Sequence, residues 1–66
     1  MAVLKVLELL ADSDKSWEDA TQKAVKKASK SIKNIRSANV SNLSTVVKDG
    51  EVATWRVNLK VSFEVD

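Results

Sequence analysis

Apolar and polar positions change their rhythm four times along this chain, and each rhythm predicts an element. Residues Ala2 to Leu10 are almost unbroken Val and Leu, interrupted by Lys5 and Glu8. Such a run suits a strand with apolar neighbours on both faces. The polar stretch Ala11 to Lys15 then reads as a loop. From Trp17 the spacing becomes three and four: Trp17, Ala20, Ala24, Ala28 and Ile32, widened by Val25 and Ile35. This is the stripe of an amphipathic helix, and its small alanines would let it lie close to a sheet. Ser16 is placed to cap its start, with Asp19 three residues later reaching back in a capping box. Acids at its start and lysines toward its end both suit the helix dipole.

Beyond Ile35, Val40, Leu43, Val46 and Val47 stand among Ser, Asn and Thr, a weak strand pattern. Asp49-Gly50 is a hairpin signal, because glycine accepts the positive φ of a type I′ turn. After it Ala53, Trp55, Val57, Leu59, Val61, Phe63 and Val65 alternate with polar residues. A strict period of two over that length predicts a long strand with one buried face. The expected fold is α+β in the order β-α-β-β, a three-stranded antiparallel sheet with one helix on one face, in a single domain spanning residues 1–66.

Length changes this picture. A chain of 66 residues buries only about 60% of its unfolded surface, so one copy alone would be marginal. Disulfides, a structural metal or self-association normally make up the deficit. The chain has no Cys and no His, which removes disulfides, thiolate sites and the commonest zinc ligand. Self-association remains. No apolar run reaches the roughly 18 residues a membrane span requires. The opening Met1-Ala2-Val3-Leu4-Lys5 lacks the features of a secretory signal, so a cytoplasmic location is expected.

The candidate chemistry is sparse. Without His or Cys the common nucleophile–base pairs are impossible, so no enzyme is expected. One glycine, Gly50, cannot build a phosphate-cradling loop. The row Lys23, Lys26, Lys27, Lys30 and Lys33 reads as a solvated helix face, since no aromatic residues interleave with it as in strand-binding surfaces. Asp12, Asp14 and Glu18 are weak candidates for a hard cation such as calcium. The glycine and terminal glutamate of a calcium loop do not follow them. Trp17 and Trp55 fall on apolar faces and read as core or interface residues before ligand platforms.

A family resemblance runs through the whole chain. Lys5-Val6-Leu7-Glu8-Leu9, Ser16-Trp17-Glu18-Asp19-Ala20, Ala28-Ser29-Lys30, Asn34-Ile35-Arg36, Asp49-Gly50 and Leu59-Lys60-Val61-Ser62-Phe63 resemble the dodecins in order and spacing. The resemblance implies a β-α-β-β protomer whose sheet wraps around its helix, assembled as a hollow homododecamer. In flavin-binding dodecins a Trp follows Asn-Ile-Arg and stacks on the flavin ring, and a Gln on the last strand bonds its edge. Here those positions are Ser37 and Arg56. Losing an aromatic platform removes about 1–3 kcal/mol per stacked ring, by analogy with base stacking. Arg offers donors only, where Gln both donates and accepts. The two changes argue against tight flavin binding. Dodecin-like proteins without the stacking Trp include calcium binders, and this chain is similar to them, including the Arg after the last strand's aromatic residue. Arg56 could clamp a carboxylate or phosphate. Pairing with Asp or Glu across a subunit interface is the stronger expectation. The resulting expectation is a non-enzymatic dodecameric storage or binding protein with an altered flavin site, possible calcium binding and no required cofactor. Weak riboflavin or FMN sequestration is the alternative.

Overall fold

The computed structural model describes residues 2–66. Four elements follow one another: β1 (Leu4–Ser13), α1 (Trp17–Ala28), β2 (Ile35–Lys48) and β3 (Glu51–Glu64). The three strands form one antiparallel sheet in the order β1-β3-β2, so the last strand enters between the first two. β3 lies in the middle because it alone alternates strictly enough to present apolar residues to one face and polar residues to the other. Val57, Leu59 and Val61 are fully buried on that apolar face, together with Ala20 of α1. Leu9, Ala11, Trp17, Ala24, Val25 and Ile35 close around them.

The β2–β3 hairpin turns at Asp49 and Gly50, whose φ of 52° and 78° are both positive, as the type I′ expectation requires. β1 pairs with β3 only as far as Ser13 opposite Trp55. The hairpin therefore projects past the helix and β1, which gives a protomer of 50 × 20 × 13 Å. Four buried apolar residues among those described are a thin core. Leu10 is 68% and Val6 62% exposed, and Leu4, Val40, Leu43, Val47 and Val52 are exposed as well.

Three expectations need correction. β1 does not stop at Leu10, and residues 11–13 are not loop. Ala11, Asp12 and Ser13 pair with Val57, Arg56 and Trp55. Their polar side chains are satisfied there, so their composition does not end the strand. The helix stops at Ala28 rather than running its stripe through Ile32 and Ile35. Lys30 and Ser31 donate to carbonyls three residues back, Ser29 Oγ bonds the Val25 carbonyl at 2.7 Å, and Asn34 at φ 64° turns the chain into β2. Ile35 packs on the core from β2 instead.

The third correction concerns the capping box. Ser16 Oγ accepts from the Asp19 amide at 3.0 Å as expected, but Asp19 does not reach back to Ser16 directly. Ser13 stands between them. Its hydroxyl donates to Asp19 Oδ2 at 2.6 Å and accepts from the amides of Lys15 and Ser16 at 2.9 and 3.4 Å. Ser13 is the buried polar residue of the chain's described part, 4% exposed, and these bonds satisfy it.

Register explains why β2 read weakly. Arg36 and Ser41 fall at shifts where the strand carries an extra residue relative to β3. Such bulges move the following side chains back to the opposite face. Val40 and Leu43, three apart, thus stand opposite Leu59 and Val57 on the same face.

Candidate functional site

The sheet face turned away from α1 carries the polar half of β3: Arg56, Asn58, Lys60, Ser62 and Glu64. Antiparallel pairing places Asp12, Glu8 and Leu4 of β1 opposite Arg56, Lys60 and Glu64. On the β2 side Ser44, Asn42, Asn39 and Ser37 stand opposite Arg56, Asn58, Lys60 and Ser62. Both expected ligand positions, Ser37 and Arg56, belong to this face.

Arg56 is engaged. Its Nε donates to Asp12 Oδ1 at 2.7 Å and its Nη2 to Asp12 Oδ2 at 2.9 Å. This fork-to-fork geometry matches the planar guanidinium to the carboxylate. The hydrogen bonds from Arg56, then its charge, hold the Asp12 carboxyl below the ordinary carboxylate range. Reciprocally, Asp12 raises the guanidinium. The partner expected across a subunit interface is in fact a residue of the same chain, 44 positions away.

Ser37 is engaged too, with its hydroxyl bonded to that of Ser62 on β3. One strand turn further, Arg36 Nε donates to Glu64 Oε1 at 3.2 Å. Ser41 Oγ bonds the Asn58 carbonyl and Oδ1 at 3.1 and 3.3 Å. Ser62 and Arg56 lie six residues apart on one strand, roughly 20 Å at 3.3 Å per residue. One protomer therefore does not bring Ser37 and Arg56 together. A site using both would draw them from different copies.

The acidic candidates are also separated. Asp12 has both oxygens committed to Arg56. Asp14 and Glu18 are exposed, at the loop before α1 and in its first turn. Among the described residues no three His, Cys, Asp or Glu gather closely enough to hold a metal. Calcium takes six to eight oxygens, so the carboxylates of one protomer do not fit it unaided. Asp19, which the sequence reading used only as a cap, is the more structured acid. Ser13 first, then Lys23 at 3.0 Å, lower its carboxyl from the ordinary value, and Asp19 raises Lys23 in turn. Its clue in the sequence was the Ser-x-x-Asp spacing alone.

Neither Trp lies on the polar face. Trp17 packs on the core and its Nε1 donates to the Ser44 carbonyl at 2.9 Å, pinning α1 to β2. Trp55 is half-buried opposite Ser13 and Thr45. This face offers paired hydroxyls, amides and paired charges, bordered along β1 by the exposed Leu4, Val6 and Leu10.

Residues 3–66 match the family model described as Dodecin. The calcium dodecin of Mycobacterium tuberculosis is 37% identical over 65 residues, which cover 98% of this chain and 92% of that protein. The fold superposes on the dodecin of Streptomyces coelicolor with a TM-score of 0.94 and 28% identity, over 98% of this chain and 93% of that one. The crystal structure of the Mycobacterium tuberculosis protein, a calcium-chelating antigen with a novel calcium-binding site, superposes with a TM-score of 0.84 over 97% and 91% of the two chains.

Proposed function

This chain belongs to the dodecin family, and from that premise we propose that it is a non-enzymatic binding and storage protein whose flavin position has been given over to internal pairing. The carrying observation is the bidentate Asp12–Arg56 pair, at the position where flavin-binding relatives present a ring-edge amide. Ser37, at the ring-stacking position, has no π-face and spends its hydroxyl on Ser62. A flavin would meet neither an aromatic platform nor a free donor–acceptor edge.

The protein works as a homododecamer. Support comes from the thin core and the exposed Leu4, Val6 and Leu10 on one face with Val40 and Leu43 on the other, since exposed apolar area on this scale marks interaction surfaces. Twelve copies of 7.3 kDa weigh about 88 kDa. No helix among the described residues is long and apolar enough to cross a membrane.

Calcium is the ligand favoured by the likeness to the Mycobacterium tuberculosis protein. Because one protomer lacks the oxygens for it, the ion sits between copies and draws on the open carboxylates of Asp14 and Glu18. Native mass spectrometry of protein purified without added ligand, before and after calcium, tests the assignment. The expected result is an 88 kDa species that gains calcium and, in parallel, melts higher with the ion present. A species that keeps a flavin mass and visible absorbance would refute it. So would a mass and melting point indifferent to calcium.

A further inference from the structure

A concave feature lies beside β1, on the side of α1. A cleft of about 420 Å³ opens between β1 and α1, lined by Leu9 and Ala11 from the strand and Ala24 and Ala28 from the helix, with Lys23 and Lys27 among its walls. β1 is an edge strand, so the cleft opens beside the sheet and not through it. Its apolar walls are half-buried. The room exists because α1 turns alanines toward β1, where longer side chains would fill the gap.

Charge at the cleft is one-sided. Lys27 makes no ion pair among the described residues, and Lys23 is shared with Asp19. The one acid lining the cleft, Asp12, is neutralised by Arg56. Ligand sites are typically concave, about 300–1,000 Å³, mostly apolar and equipped with a few placed polar groups. This cleft meets that description.

We propose that the β1–α1 cleft binds a small amphiphilic anion of the medium-chain carboxylate class, its apolar body along Leu9, Ala11, Ala24 and Ala28 and its head on Lys27. The site lies on the helix side of β1, meets the polar sheet face at Asp12 and is independent of the calcium assignment. A second copy is the less fitting occupant. Most of the large exposed apolar side chains that another copy would cover stand on the sheet faces, and of the cleft's lining only Leu10 is one of them.

The test titrates the assembled protein with anilinonaphthalene sulfonate and displaces the dye with decanoate. Ala28→Leu fills the cleft with a good helix former and should weaken dye binding by about tenfold or more, in line with the apolar area lost. Lys27→Gln should weaken it by roughly fivefold at low salt and remove most of its salt dependence. Lys26→Gln, one residue outside the lining, should match the parent protein. The inference is overturned if decanoate fails to displace the dye, or if both cleft variants bind it as the parent does. It is also overturned if Ala28→Leu lowers the native mass, because the cleft would then be an interface between copies. Should Ala28→Leu fail to fold, Lys27→Gln and decanoate displacement decide the matter by themselves.

Discussion

Leu59→Ala and Leu10→Ala remove the same atoms from two strands of one sheet, and their consequences should differ sharply. Leu59 is fully buried at the centre of β3, between Leu9 on β1 and Val40 on β2. Truncation forfeits the transfer energy of three carbons and leaves a cavity that the pinned sheet cannot close, about 2–5 kcal/mol. A 66-residue domain has only about 3–10 kcal/mol in total at 0.05–0.15 kcal/mol per residue. The substitution thus removes a large share of it, about half at mid-range, a fall in melting temperature of about 10–30 °C for a domain of this size. Leu10 is 68% exposed in the protomer. Its truncation removes little from the fold, but about 1–2 kcal/mol per copy where assembly buries the remaining surface. Thermal unfolding followed by tryptophan emission, together with native mass, separates the two. Leu59→Ala should melt early; Leu10→Ala should shed the 88 kDa species at low concentration while its assembled form melts close to the parent. Equal melting losses in both, or a Leu59→Ala protein within 2 °C of the parent, would refute the reading of core and surface.

Other outcomes follow from the same contacts. Asp12 and Asp19 both titrate lower in the folded chain than unfolded, so their stabilisation is complete above the ordinary carboxylate pKa and lost as pH falls through the folded values. Melting temperature should hold from pH 7 to about 5 and fall below about 4; Asp12→Asn should flatten part of that fall, and an unchanged profile would remove the bridge from the account. Ser16→Ala deletes the acceptor for the Asp19 amide and should cost about 1 kcal/mol in denaturant titration. Gly50→Ala, at φ 78° with open space around the added methyl, should cost about 1 kcal/mol from backbone strain alone. Ser37→Trp combined with Arg56→Gln should create riboflavin binding, read as quenched flavin fluorescence, and undiminished fluorescence would count against a dormant flavin site.

The helix start and the hairpin were legible because both depend on neighbours in sequence. Ser16 caps Trp17–Ala28, and Asp49-Gly50 turns β2 into β3, through residues within three or four positions of one another. β3 was legible because its period of two is unbroken from Thr54 to Glu64, its extra residue relative to β2, Ala53, lying near the hairpin end. β2 was not, since the extra residues at Arg36 and Ser41 shift the phase of its apolar positions, and nothing in a Ser- and Asn-rich run marks where a bulge falls.

The end of β1 and the polar face show the same division. Ala11, Asp12 and Ser13 carry loop composition, and only pairing with residues 55–57 makes them strand. Asp12 read as a weak cation ligand and Arg56 as an anion clamp or an interfacial partner. Their union depends on register between strands 44 residues apart, which no local pattern encodes. The sequence by itself determined the order β-α-β-β, the buried face of β3 and the serine, not an aromatic residue, at position 37. Those follow from periodicity and residue identity. Tertiary structure decided which charges cancel, which bulge re-aims which side chain, and that the expected ligand positions are already occupied by the protein's own groups, because hydrogen bonds and ion pairs are set by distance in space.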